Sequence, residues 1–356
     1  MTKELNIILQ VVSGKTEINI SPAEIDIPRM IRLSSRHKVV YQMLLFAQKH
    51  PELFSEDQLR KLNDRNRKVA MQSLVQLREM KMIAGIFNEK NIGYICIKGP
   101  QLSRMLYGRE ALKESVDLDI ILSDVKDLQF VHGLLGNKGY VQSNLNDYPG
   151  QWRRKLFLVA KREVHYHNPE KNLSIDLHIR PGANTYLTEN NFRPFLNDLQ
   201  SFDLDGISVP IPEPNSYFVY LCYHGALHQF VRIAWLLDVR MFLLSQKQNL
   251  DIKAIFELAQ KVQIENCVLL ALFLLKEHFG DQFFNPSPSY PASVKWLAKR
   301  CIAGWESKPG YSRFLRGRFD KVVFIMRLLK GLPAKIDWIY GILVRQLIKL
   351  PLIRRR

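Results

Sequence analysis

The stretch VDLDIIL, Val116 to Leu122, places Asp117 and Asp119 two residues apart inside a run otherwise composed for a buried strand. Side chains at i and i+2 leave a strand on the same face, so the two carboxylates point at one spot. Like charges that close repel unless a cation sits between them, and a divalent metal is the natural guest. The residues on either side fit that reading. Upstream, GYICIKG (Gly93 to Gly99) has the pattern of an apolar strand ending in glycine, and PQLSRMLYG follows as a short helix opened by Pro100. Downstream, LSIDLHI sets a third acid, Asp176, in another apolar strand, with His178 on the same face.

Strand, glycine turn, helix, a D-x-D strand and a later single-acid strand together resemble the nucleotidyltransferase superfamily that includes DNA polymerase beta. More closely, KGPQLSRMLYGREALKESVDLDIIL with the later IDLH is similar to a poorly characterised nucleotidyltransferase family within it. The resemblance implies Lys98 and Gly99 at the nucleotide turn, with Tyr107 and Lys113 between turn and acids. It implies Asp117, Asp119 and Asp176 as catalytic carboxylates and metal ligands. Pro100 removes one backbone donor from that turn, and Lys98 is the residue expected to replace the contact. The segment YHGALHQFVRIAWLLDV is similar to the His-Gly, Trp and Asp pattern of the family's following helices, which implies roles for His224 and Asp238 beside the nucleotide. The expected cofactor is Mg²⁺ or Mn²⁺, with ATP or another NTP as substrate.

The expected fold is α/β (α+β): a mixed sheet with flanking helices, a helical lead-in over 1–90, a catalytic core over 91–212 and a helical domain over 213–310. A basic amphipathic tail over 311–356 completes the chain. In the core, KLFLVAK, EVHYHN and LSIDLHI are expected as strands and Val125 to Lys138 as a helix, while SFDLDGISVPIPEP has the pattern of an extended, proline-rich closing segment. The N-terminal run PELFSEDQLRKLNDRNRKVAMQSLVQLREMKMIAGIFNEK lacks glycine until Gly85 and repeats apolar residues at three and four, so a long helix feeds the first strand.

Around the acids, His178 is positioned to orient Asp176 or contact substrate. His165 and His167 alternate on one face of EVHYHN, but without a third ligand at suitable spacing they are expected at an exposed sheet edge rather than at zinc. His224, His228, Arg232, Trp235 and Asp238 fall near helical spacing, which lets several of them line one groove or fill a core.

A 356-residue chain with 47% hydrophobic and 24% charged residues is long and apolar enough for about two packed domains, which excludes a disordered polar chain. The formal net charge is +17, and from Tyr311 to Arg356 twelve Lys/Arg stand against two Asp, so more than half of the excess lies in the tail. Apolar residues outnumber bases there, which favours an anionic membrane surface or the protein's own body over nucleic acid as the tail's partner. Cys96, Cys222, Cys267 and Cys301 form no C-x-x-C pair and read as buried thiols. No uncharged apolar run reaches the roughly 18 residues that span a bilayer. The expected location is cytoplasmic, either free with the tail packed on the body or peripheral at the inner face of the membrane.

The leading expectation is transfer of a nucleoside monophosphate from NTP to a hydroxyl-bearing acceptor, with settings such as cell-envelope polysaccharide or natural-product pathways implied by the resemblance. A catalytically inactive nucleotide-binding or membrane-associated scaffold is the alternative, and a nucleic-acid enzyme of the same superfamily a third.

Overall fold

The computed structural model describes residues 1–15, 18, 24–109, 113–115, 117–143, 163–179, 198–284, 288–306 and 317–349. The expected strand KLFLVAK and the last residues of the tail lie outside the described residues. Three helices, α1 (Lys3–Ser13), α2 (Ile27–Arg36) and α3 (Val40–Lys49), precede a 34-residue helix α4 (Glu56–Glu89). Ser55 and Gln58 form a reciprocal capping box at its start, satisfying backbone donors that a helix N-terminus otherwise leaves orphaned. The inner face of α4 buries Leu62, Met80, Ile83, Ala84 and Phe87.

The chain then builds β1 (Tyr94–Lys98), α5 (Pro100–Tyr107), β2 (Asp117–Leu122), α6 (Leu128–Asn137), β3 (Val141–Gln142), β4 (Glu163–Asn168) and β5 (Leu173–His178). These strands make a five-stranded mixed sheet in the order β1-β2-β5-β4-β3. β2 and β5 are parallel, and the other neighbours are antiparallel. One face of the sheet is apolar: Leu118 and Ile120 of β2, Ile175 and Leu177 of β5, and Val164 and Tyr166 of β4 are all buried. The opposite face carries the acids and histidines, and it is partly exposed along β4 and β5, as strict period-two alternation requires.

Two findings differ from expectation. EVHYHN is not at an edge, because β4 is paired on both sides, to β5 and to β3. SFDLDGISVPIPEP is a hairpin rather than a plain extended closure: β6 (Leu199–Leu204) and β7 (Ile207–Pro212) pair across Asp205 and Gly206. Both turn residues have positive φ, +52° and +83°, as a two-residue type I′ turn demands. Arg104 and Lys81 pin the turn through Asp205, at 2.6 and 3.5 Å.

Helices follow: α7 (Pro214–Leu227), α8 (Ile233–Ser245), α9 (Ile252–Lys261), α10 (Glu265–Phe279), α11 (Ala292–Trp305), α12 (Gly317–Leu328) and α13 (Leu332–Lys349). α10 is apolar all round and packs on α7, α8, α9 and α11, as a helix at the centre of a core must. Gly225 in α7 lets Phe230 lie against the helix; a Cβ there would sit 2.2 Å from the Phe230 ring. A continuous apolar core runs from Leu5 in α1 to Trp338 in α13, so the tail's Phe324, Leu328, Ala334 and Trp338 are packed on the body. All four cysteines are buried thiols.

The lead-in and the helical region are joined at His37. Its carbonyl accepts from the Ala234 N–H at 3.1 Å and its Nδ1 from the Ile233 N–H at 3.3 Å, so His37 caps the start of α8. Its Nε2 then donates to the Trp305 carbonyl at 3.0 Å, which fixes the neutral tautomer. Burial, reinforced by Arg36, lowers the His37 pKa to about 4. The folded value lies below the unfolded one of about 6.5, so the unfolded chain binds more protons between them and stability falls as pH drops through that window. Between pH 7 and pH 5 the His37 contribution to that loss is about 2 kcal/mol. Urea unfolding at the two pH values should therefore give a shallower pH dependence for His37→Gln than for the wild type, although the variant starts from lower stability. Parallel pH dependences would show that His37 titrates normally.

Candidate active site

The acids meet because of register. Asp119 lies opposite Asp176 across the parallel β2–β5 pair, and Asp117 lies opposite Ser174. His165 lies opposite Asp176 on β4, and Glu163 opposite His178. On the other side of β2, Ile95 pairs with Ile121 and Cys96 with Ile120, after which the register slips and Lys98 pairs with Asp119. In regular pairing Lys98 would face Leu118 on the apolar side; the bulge carries it to the carboxylate face. Gly99 then turns the chain into α5 with φ +116° and ψ −151°, a conformation essentially restricted to glycine.

Asp119 is only 3% exposed. Lys98 Nζ stands 2.9 Å from its Oδ2 and His178 Nε2 2.9 Å from its Oδ1. Burial alone would raise its pKa, but Lys98 and His178 hold this carboxyl far below the usual range. His178 therefore serves Asp119, not Asp176 as its place on β5 had implied. Asp176 takes His165 instead, with Nδ1 2.5 Å from Oδ1, and Glu163 lies 3.4 Å from the other ring nitrogen. Those two acids raise the His165 pKa to about 10, so the ring is an imidazolium at neutral pH. Glu163 and His165 are functional candidates that sequence reasoning passed over; their alternation with His167 was visible, but placing the strand at an edge hid its meaning.

Among the described residues no group of three or more His, Cys, Asp or Glu side chains is arranged to hold a metal ion as it stands. The donor set nevertheless suits a hard divalent cation. Asp117 has its pKa raised by burial and then by the charges of Asp119 and Asp176, a repulsion that a bound cation relieves. Asp119 Oδ2 is ion-paired with Lys98 but makes no aligned hydrogen bond, so a buried carboxylate oxygen keeps acceptor capacity. Asp117, Asp119 and Asp176 are the residues that would hold the metal.

Lys113 and Asp238, expected beside the nucleotide, form an ion pair at 3.2 Å and are both nearly buried. Burial raises the Asp238 pKa against the pull of Lys113, and the Tyr107 hydroxyl is raised well above its ordinary value by burial and then by Asp238. The Lys113–Asp238 pair thus ties the segment before β2 to α8, on which α5 also packs. Lys38, which no motif marked, lies in the field of Arg232, Glu114, Lys113 and Asp117; burial and then Arg232 lower its pKa to about 8.

α7 is fixed to β1 by the Tyr217 hydroxyl, which donates to the Ile97 carbonyl at 2.8 Å. Tyr220 and His224 follow at four-residue spacing on the same helix, and His228, four residues further, caps its C-terminal end. His224 stacks near Tyr220, with ring centroids 6.2 Å apart, and both histidine rings contact Trp235 of α8, at 5.6 and 4.9 Å. The Arg232 guanidinium lies 5.2 Å from the Trp235 ring. Burial and then Lys98 keep both histidines neutral, His224 well below its ordinary value and His228 at about 4.

The family described as "Uncharacterised nucleotidyltransferase" matches residues 23–280. No curated protein matches the chain. Among solved structures, an antigenic nucleotidyltransferase-like protein from Paracoccidioides brasiliensis is similar over 57% of this chain and 88% of its own, at 15% identity and a TM-score of 0.35. With its D-x-D strand, its third acid and most of its length inside the matched span, the chain belongs to the uncharacterised nucleotidyltransferase family.

Proposed function

We propose that this protein is a divalent-metal-dependent nucleotidyltransferase that moves a nucleoside monophosphate from an NTP, ATP by default, to a hydroxyl-bearing acceptor. The observation that carries the reading is the row of Lys98, Asp119 and Asp176 on three adjacent strands, with Asp117 on the same face. The acceptor oxygen attacks the α-phosphorus, the bond from that phosphorus to the bridging oxygen of the β-phosphate breaks, and pyrophosphate departs with the electron pair. Asp176 receives the hydroxyl proton, and His165, already cationic, holds that carboxylate in place. Lys98 supplies positive charge to the polyphosphate from the glycine turn. A metal held by Asp117, Asp119 and Asp176 would stabilise charge on the phosphate oxygens and sharpen the acidity of the acceptor hydroxyl.

A second reading, a nucleotide-binding protein without turnover, is favoured by the Lys98–Asp119 ion pair at the ligand position and by the donor missing at Pro100. The two readings part at pyrophosphate release. Asp117→Asn should reduce metal-dependent release by at least about a hundredfold and leave thermal stability at pH 7 unchanged or higher, because its carboxylate is held against repulsion. Asp119→Asn should abolish release and lower stability, since it strands Lys98 and His178 without their buried anion. Activity that survives both changes rejects the transferase; nucleotide binding without any release leaves the second reading.

For location, the proposal is contact with an anionic bilayer through α13. No helix of the described residues is long and apolar enough to cross a membrane. Leu332, Ile336, Ile339, Tyr340 and Leu343 are all exposed and fall at helical spacing along one stripe, while Ala334, Trp338 and Val344 are buried on the other side. The surrounding tail sequence carries the +10 excess that an anionic surface attracts. Sedimentation should show binding to vesicles containing phosphatidylglycerol and none to pure phosphatidylcholine, with Ile336→Glu/Leu343→Glu abolishing it. Equal partition of wild type and variant would remove the membrane role.

A further inference from the structure

We propose that the wall made by His228 and Arg232, backed by Trp235, is the nucleobase site, and that it takes the planar base of the NTP by stacking rather than by base-edge readout. The inference rests on the transferase reading and specifies where the part of the substrate beyond the phosphates is held.

The placement follows from two anchors already described. Tyr217 fastens α7 to β1 one residue before Lys98, so the Tyr220–His224–His228 face of the helix runs outward from the phosphate end of the site. The Lys113–Asp238 pair fastens α8 to the segment that enters the D-x-D strand, one helical turn after Trp235. The wall is therefore held to both strands that carry Lys98 and Asp119. Lys98 and Asp119 both act electrostatically on His224 and His228, which brings the wall within the field of the charged row.

Its chemistry suits a base and not a second phosphate. Two neutral imidazoles and an indole present π surface with little charge, and Arg232 adds a planar cation that stacks on aromatic faces. The surface is also reachable. His228 is exposed and Trp235 and Arg232 are half-buried, whereas nearby Tyr217, Phe218 and Tyr223 are sealed in the core. No Asp or Glu makes a hydrogen bond or ion pair with these three side chains among the described residues, so a purine edge meets no fixed anionic partner there, and stacking area favours purines over pyrimidines.

The test compares Mg-ATP, Mg-CTP and Mg-tripolyphosphate binding to the full-length protein by calorimetry. His228→Ala should weaken Mg-ATP at least about fivefold while leaving Mg-tripolyphosphate within twofold, and His228→Phe should restore the ATP affinity. The exposed position makes His228→Ala compatible with folding, which a thermal melt checks; Trp235→Phe, which keeps the core filled, should give a smaller loss in the same direction. Unchanged ATP affinity in His228→Ala, or equal loss for ATP and tripolyphosphate, overturns the base site while the transferase reading stands. A wild-type protein that takes up neither ATP nor tripolyphosphate overturns both.

Discussion

A nearly buried anion governs this structure. Asp119 lies in the second strand of the sheet, and a carboxylate so removed from water is tolerable only beside opposite charge and hydrogen-bond donors. Lys98 supplies the charge beside Oδ2 and His178 the hydrogen bond at Oδ1, from the strands on either side. Lys98 reaches it because β1 slips register by one residue between Cys96 and Lys98, which reverses the face of one side chain without disturbing the apolar pairing of Ile95 and Cys96 below it. The glycine-only backbone at Gly99 follows at once and starts α5, so the bulge, the turn and the helix are consequences of one placement.

The same placement propagates outward. His178, committed to Asp119, leaves Asp176 to His165, and Glu163 faces both histidines at 3.8 and 3.4 Å. Acids and imidazoles thus alternate across β2, β5 and β4, each acid beside a cation, while Asp117 is left with repulsion from Asp119 and Asp176 that outweighs Lys98 and Lys38. That imbalance is the sign of a site shaped for a charge which its own side chains do not supply.

Much of this was legible in the sequence and some was not. Period-two spacing was enough to put Asp117 with Asp119 and Asp176 with His178, because strand parity is local. Register is not local: the pairing of Asp119 with Asp176 depends on a parallel alignment of segments more than fifty residues apart, and the slip at Ile97 has no signature in YICIKG. The Asp205–Gly206 turn had one, an Asp-Gly pair between alternating residues, but the prolines of ISVPIPEP masked it. The interior position of β4 depends on β3, two residues long and too short to register as a strand. Lys38 gave no signal at all, since its place is set by His37 capping a helix almost two hundred residues later.

That cap explains why a helical lead-in belongs to a transferase fold. α8 carries Trp235 and Asp238, and its first turn begins with backbone donors that need partners. His37 satisfies two of them while its far nitrogen reaches Trp305, and the Trp305 indole in turn donates to the Phe230 carbonyl at 2.7 Å, just after α7. Elements from the lead-in, the two wall helices and α11 are thus locked through one neutral imidazole and one indole. Protonating His37 would set a positive charge beside Arg36 and the start of α8, the positive end of that helix dipole, which is why burial and field act on it in the same direction. The residues that flank Arg232 and Trp235 are thus held from outside α7 and α8, by the lead-in at Ile233 and Ala234 and by α11 at Phe230.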